Sequence, residues 1–351
     1  MLRVRACGLS DVGLTRVHNE DYFEIDPRHR LYVVADGMGG HSAGEVAAQI
    51  AVKAIHDFIE KSVDRDATRS LRSVGSMVSA GAAAAAATAA ASSAPAPPGP
   101  PGPAEAAPPP APAAMPASGG AGGAGISGGP GAAGGVGASG GSAHLRSTAT
   151  METPPLPGSD ERLARHSRLL EMAVRRAHDN VLTAISKDGS LHGMGTTVVG
   201  LLLAGPTAAV AHVGDSRAYR LRDGRLDQLT QDHTWVHEQV VAGLLSNEQA
   251  RSHPLKNVVT RALGGESDVV VDVREVQVEP GDLYLLCSDG LTGMLSDADI
   301  RERLGSGRSL HEICRSLVNE ANARGGLDNV TVVLLAVEDA DDEDGDVASG
   351  S

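Results

Sequence analysis

The sequence predicts an α+β sandwich, two antiparallel sheets flanked by helices, and three observations lead there. Short apolar runs of strand character outnumber helical patterns. They lie on both sides of a long stretch dominated by Ala, Gly, Pro and Ser. Neither side has enough strands to stand alone, so a single domain split in sequence is the simplest organisation.

In chain order, Arg3 to Leu9, Tyr22 to Ile25 and Leu31 to Ala35 read as strands, followed by a helix from Ser42 to about Lys61 with Ser42 and Glu45 as its capping box. From about Ser73 to Pro157 charge and large apolar side chains almost vanish. Such a segment cannot offset its ordering entropy, and disorder is expected over 73–157. Closing a loop of about 85 residues costs only about 2 kcal/mol more than closing one of about ten, so one domain can carry it. Beyond it, Leu163, Leu170, Ala173, Val174, Ala177 and Val181 repeat near 3.6 and predict an amphipathic helix over Glu161 to Ile185.

Strands are then expected at Thr197–Leu203, Ala208–Val213, Arg217–Leu221, Leu226–Leu229, Val258–Leu263, Val269–Val278, Leu283–Cys287 and Val330–Val337. Helices are expected at about Trp235–Leu244, Asp297–Leu304 and Leu310–Ala323, the last opened by a Ser309–Glu312 capping box. The domain is therefore 1–72 plus 158–338, and 339–351 (EDADDEDGD within its approach) reads as an acidic disordered tail.

Composition narrows the function classes. The 351 residues carry a formal charge of -14 and no basic cluster, which argues against nucleic acid as a partner. No run of about 18 uncharged apolar residues occurs, so no membrane span is expected. Cys7, Cys287 and Cys314 lack C-x-x-C spacing, which suggests neither a disulfide framework nor a zinc knuckle and fits a reducing cytoplasm.

The chemistry-bearing residues are carboxylates at strand ends. Asp36 ends LYVVAD, Asp215 follows AVAHVG, Asp289 follows LYLLCS, Asp328 precedes NVTVVLLAV, and Glu20 with Asp21 adjoins the second strand. One aspartate after a strand is ordinarily a turn residue or a helix cap. Five such sites, three of them with glycine alongside (Gly37, Gly214, Gly290), look instead like oxygen ligands converging on one sheet edge. Clustered carboxylates repel unless hard cations hold them, and all-oxygen ligation selects Mg²⁺ or Mn²⁺ over Zn²⁺.

Together VGLTRVHNEDYF, VVADGMGGHSAGE, GMGTTVV, AHVGDSRAYRL, LTQDHT, VVTRALG, LLCSDGL and GGLDNVTVVLL stand in the order found in metal-dependent protein serine/threonine phosphatases. The chain resembles a bacterial member of that protein phosphatase 2C (PPM) family over nearly everything except the insertion and the tail. The resemblance implies a four-layer α-β-β-α sandwich, and hydrolysis of phosphoserine and phosphothreonine in proteins by a metal-activated hydroxide, opposing bacterial Ser/Thr kinases. It implies two Mn²⁺ or Mg²⁺ ions with a third possible. Asp36 would bridge two of them, with the Gly37 carbonyl, Asp21, Asp289 and Asp328 completing the pair, and Asp215 with Asp289 would hold the third. Glu20 would orient water and Arg16 would bind the substrate phosphate; its bland alternative is an ion pair with Glu20 or Asp21.

The proton for the leaving oxygen would come from His41 or from water, since Met38 stands where many eukaryotic relatives carry histidine. His41 could equally flank the helix cap. His233 reads as structural, and His237 lacks the Glu of a zinc H-E-x-x-H motif. Thr234 to about Lys256 corresponds to the family's flap beside the metals. Expected partners are phosphorylated proteins and their kinases, met by a cytoplasmic monomer.

Rival chemistries fail on spacing. A cysteine phosphatase needs C-x₅-R, but Gly13, Gly293 and Glu320 stand six residues beyond the cysteines. After the third strand Gly37, Gly39 and Ser42 do not complete a G-x-G-x-x-G, no Walker G-x-x-x-x-G-K-[ST] occurs, and Ser216 stands in VGDSRA rather than in a G-x-S-x-G. Two alternatives of other kinds are a catalytically inactive phosphatase fold serving as a regulatory binding module, and a phosphatase of anti-sigma-factor antagonists. The complete carboxylate set favours the enzyme over the first.

Overall fold

Alternation along one strand explains the layering. In β11 (Val330–Asp339), Val332 and Leu334 pack beneath helices, while Val333, Leu335 and Val337 enter a second core between two sheets. Side chains of period two feed opposite faces, so a strand apolar throughout must be covered on both.

The structure is a computed structural model that describes residues 2–39, 43–64 and 159–339, with side chains left aside for 159–164. All of these belong to one compact unit, Met1–Gly75 with Pro155–Ser351. His41, Ser42 of the expected capping box, the 73–157 insertion and the 340–351 tail lie outside the described residues.

One sheet has the order β1 (Leu2–Asp11), β11, β10 (Leu283–Cys287), β7 (Arg217–Arg222), β8 (Arg225–Gln228). The other runs β2 (Asp21–Asp26), β3 (Leu31–Met38), β5 (Val198–Ala204), β6 (Thr207–Val213), β9 (Asp272–Gln277), with short β4 (Gly195–Thr196) paired to β3. Every described pairing is antiparallel.

Helix α1 (residues 43–64) and α2 (Ser159–Lys187) cover the second sheet. Their Ala47, Ala51, Ile55, Ile59, Leu170, Val174 and Val181 meet Leu31, Val33 and Val198. The first sheet is covered by α5 (Asp289–Thr292), α6 (Asp297–Leu304) and α7 (Leu310–Ala323), through Leu291, Ile300, Leu304, Ile313 and Leu317. Between the sheets Tyr32, Val199, Leu201, Tyr284, Leu286 and Val333 form the central core. Three apolar interfaces make four layers, as predicted. Each fully buried Leu, Ile or Val contributes about 1.5–3 kcal/mol against conformational entropy.

Helix α7 begins at the predicted capping box: Ser309 Oγ accepts from Glu312 N, and Glu312 reaches back to Ser309. Two expectations change between β8 and β9. The helix predicted over Trp235–Leu244 ends as α3 (Trp235–Val241), because Gly243 turns at φ +73° and a second helix, α4 (Asn247–Ser252), starts at its own capping box. Val258–Leu263 forms no strand: it makes only isolated bridges, Thr234 with Val259 and Thr196 with Leu263. Its apolar pattern was sound, but neither sheet offers it a continuous edge.

Candidate metal centre

The β2–β3 ladder sets the first pair of carboxylates, because its register places Asp21 directly opposite Asp36. Like charges in that position destabilise a sheet unless something neutralises them. Asp215 follows β6, which β5 separates from β3 in the same sheet, and is delivered by a turn at Gly214 with φ +106°. A Cβ at Gly214 would lie 2.5 Å from Thr197 Cβ, so both the backbone angle and the close approach require glycine. Asp289 opens α5 directly beyond β10, and Asp328 precedes β11.

Hydroxyls and amides fix these positions. The Asp36 N–H donates to Thr197 Oγ1 (3.2 Å), and the Asp36 carbonyl accepts from Thr197 N (2.8 Å) and Thr196 Oγ1 (2.9 Å). Ser288 Oγ donates to Asp21 Oδ2 (2.7 Å), while Asp21 Oδ1 is buried with no partner. Asn329 holds the loop that carries Arg16 and Glu20. Its Oδ1 accepts from Glu20 N (2.8 Å) and its Nδ2 donates to the carbonyls of Val12 and His18 (2.9 Å each). Gly290 packs against the Asn329 carbonyl so closely that a Cβ there would collide with it. Sequence reasoning missed Asn329, Ser288 and Thr197, although each adjoins a quoted motif aspartate or strand start.

Arg16 is exposed and donates from Nη2 to Asp328 Oδ2 (2.7 Å), not to Glu20 or Asp21 as its bland alternative supposed. His233 is buried. Its Nδ1 accepts from Gly214 N (3.1 Å) and its backbone N–H donates to the Gly214 carbonyl (3.0 Å), so it clamps the turn that carries Asp215.

The carboxyls sense one another. Burial first, then Asp21, Asp289, Asp215 and Asp328, push Asp36 well above the usual carboxylate range. Burial raises Asp21 to about 7 against hydrogen bonds from Thr331 and Ser288, and Asp289 and Asp328 add to the rise. Burial with Asp289 and Asp232 raises Asp215 to about 8. Asp289 is raised by burial and by Asp328, and Asp36 relieves it by donating a hydrogen bond. Glu20 is raised by burial, partly offset by Arg16.

Asp36 thus lies within electrostatic reach of Asp21, Asp215, Asp289 and Asp328, and Glu20 within reach of Asp328. Among the described residues, no three of these carboxylates bring ligand atoms within 4.8 Å of one another.

The chain matches protein phosphatase 2C over residues 15–99 and 113–330. It belongs to that family. The serine/threonine phosphatase stp of Listeria innocua is 38% identical over 329 residues, which cover 93% of each chain. The serine/threonine protein phosphatase PstP of Mycobacterium tuberculosis is 31% identical over 344 residues, 97% of this chain and 46% of that protein. Among solved structures, the crystal structure of the M. tuberculosis phosphatase PstP/Ppp superposes with TM-score 0.63 at 29% identity, covering 96% of this chain and 99% of that one. The PstP catalytic domain in complex with two manganese ions gives 0.61 at 29% identity, covering 97% and 100%. This phosphatase 2C chain is accordingly a protein serine/threonine phosphatase, whose substrates are phosphoproteins. Among its described residues, no helix is long and apolar enough to cross a membrane.

Proposed function

We propose that this phosphatase hydrolyses phosphoserine and phosphothreonine in a metal-dependent reaction that opposes bacterial Ser/Thr kinases. The observation that carries the reading is the gathering of Asp21, Asp36, Asp215, Asp289 and Asp328, with Asp21 Oδ1 buried and unpartnered and four of the five pushed upward. An oxygen-rich group of mutually repelling carboxyls fits hard dications.

Asp21, Asp36, Asp289, Asp328 and the Gly37 carbonyl would hold two Mn²⁺ or Mg²⁺ ions, and Asp215 with Asp289 a third. Bound there, the ions would cancel the carboxylate charge and activate water for in-line attack on phosphorus. The chain's own residues supply orientation. Arg16, on the loop clamped by Asn329 and by the Gly326 carbonyl, presents a planar fork of donors to phosphoryl oxygens. Its bond to Asp328 aims the guanidinium toward the carboxylate group. Glu20, partly buried and bonded through its carboxylate to the Gly44 N–H, would orient the attacking water. His41 is a candidate donor to the leaving oxygen.

Turnover of a phosphothreonine peptide and of p-nitrophenyl phosphate should require added Mn²⁺ and vanish with a chelator; turnover indifferent to chelation would overturn the metal assignment. Arg16→Ala should lower kcat/KM for the phosphopeptide by about 10²-fold, and Arg16→Lys should recover only part of it, because a point charge cannot make two parallel bonds. Unchanged kcat/KM in Arg16→Ala would remove Arg16 from phosphate binding.

The domain we propose is 1–72 plus 158–338, acting as a cytoplasmic monomer. The free thiols of Cys7, Cys287 and Cys314 suit a reducing compartment. Deleting Ser76 to Pro154 should leave peptide turnover within about twofold of the full chain, since that composition cannot contribute to a core. Loss of folding on the deletion would show the boundary to be misplaced.

A further inference from the structure

The hairpin that presents Asp21 and Asp36 at one end carries a different cluster at its other end. Asp26 closes β2 opposite Leu31, five residues from Asp21 and therefore roughly 17 Å away along the strand. Its Oδ2 lies 2.5 Å from His29 Nδ1 and 3.0 Å from His56 Nε2, and its Oδ1 accepts from the His29 backbone N–H at 3.1 Å. His56 reaches this point from α1, and its ring stands edge-on to that of His29, centroids 6.2 Å apart. The three side chains offer ligand atoms that all lie within 4.8 Å of one another.

We propose that Asp26, His29 and His56 form a second cation site, independent of the carboxylate centre and selective for a borderline dication of the Zn²⁺ type. Two imidazoles and one carboxylate are a donor set that suits Zn²⁺ and disfavours Mg²⁺.

A second observation points the same way. His29 Nε2 is buried and has no hydrogen-bond partner. While Nδ1 donates to Asp26, neutral imidazole leaves Nε2 as a bare lone pair in a desolvated place, which costs free energy. Coordination through Nδ1 moves the proton to Nε2, and that nitrogen already faces Asp64 Oδ1 at 3.9 Å. His56 has the matching arrangement, with Asp57 Oδ1 3.8 Å from its Nδ1. A carboxylate behind the outer nitrogen of each imidazole is the arrangement that orients metal-ligating histidines and makes them more basic. The His56 side chain is 29% exposed, which leaves an entry path and room for water as a fourth ligand.

The other buried trio, His212, His233 and Asp272, does not carry the same reading. Arg261 Nη1 already sits 3.0 Å from Asp272 Oδ1 and 3.2 Å from His233 Nε2, and His233 Nδ1 is engaged by Gly214.

The test is zinc binding to the full chain in an Asp36→Asn background, which weakens the carboxylate centre, with excess Mg²⁺ present. Zinc stoichiometry is read by equilibrium dialysis and Tm by thermal unfolding. One zinc equivalent should disappear when His56→Gln is added, together with a zinc-induced rise in Tm of about 5 °C at a hundredfold excess over Kd. His233→Gln should leave that equivalent in place. His56 is chosen because it is partly exposed and lies outside the turn; Asp26→Asn is the second variant should His56→Gln unfold. Zinc stoichiometry unchanged in both variants, or no zinc bound to the parent, overturns the proposal.

Discussion

Asp36→Asn should abolish turnover and yet raise the melting temperature of the metal-free phosphatase at pH 8. The amide keeps the shape of the carboxyl and leaves the Asp36 backbone bonds to Thr196 and Thr197 in place. It also reproduces the hydrogen bond by which a protonated Asp36 relieves Asp289. What it removes is a desolvated charge that Asp21, Asp289, Asp215 and Asp328 all oppose. Without cations that charge is a liability at pH 8, and its removal should raise Tm by several degrees. With cations it would be one of the ligands we propose, and its loss should lower kcat by about 10³-fold or more. The measurements are steady-state turnover with Mn²⁺ and thermal unfolding at pH 5 and pH 8, with and without Mn²⁺. At pH 5 the gain in Tm should shrink, because a carboxyl raised by burial and by its neighbours carries less charge at lower pH. Wild-type turnover, or an undiminished stabilisation by Mn²⁺, would refute the ligand role of Asp36.

The second large effect is a reversal of pH dependence on adding metal. Asp21 at about 7 and Asp215 at about 8, with Asp36 and Asp289 also raised, bind protons more tightly folded than unfolded. A raised carboxyl leaves stability intact below its unfolded value of about 3.9 and costs stability as pH climbs from there through the folded value. The chelated protein should therefore lose stability between about pH 4 and pH 8, on the order of 5 kcal/mol in total, or roughly 10 °C in Tm.

Two buried histidines act in the opposite sense below about 6.5: burial lowers both His212 and His233, so stability rises as pH approaches the unfolded imidazole value. The clean window is pH 6.5 to 8, which spans the values of Asp21 and Asp215. With saturating Mn²⁺ the slope should invert, since metal binds the deprotonated carboxylates and releases their protons. Thermal scans across that window with chelator and with Mn²⁺ decide the matter. Parallel curves would mean that these carboxyls do not share a cation.

The two expectations rest on knowledge of different origin. That Asp36, Asp215, Asp289 and Asp328 stand at strand ends was legible from LYVVAD, AVAHVG, LYLLCS and the run after Asp328. So were the capping box of α7 and the four layers, because apolar period and cap chemistry are properties of a few neighbouring residues. The strand expected at Val258–Leu263 shows the limit of that information. Its residues suit an extended conformation, but a strand also needs an edge, and only the assembled sheets decide whether one is free.

Sequence alone determined which segments extend, which coil and which acids end them, since backbone conformation answers to local sterics and to the spacing of apolar side chains. Only the tertiary structure decided that Asp21 faces Asp36, that Arg16 reaches Asp328, that Asn329 ties the Arg16 loop to β11, and that His56 meets Asp26 and His29. Arg16 and Asp328 are 312 residues apart, and no local preference encodes which side chains a sheet register will bring face to face. Burial is also a property of the assembled layers, and it turns ordinary aspartates into a group that holds protons near neutral pH.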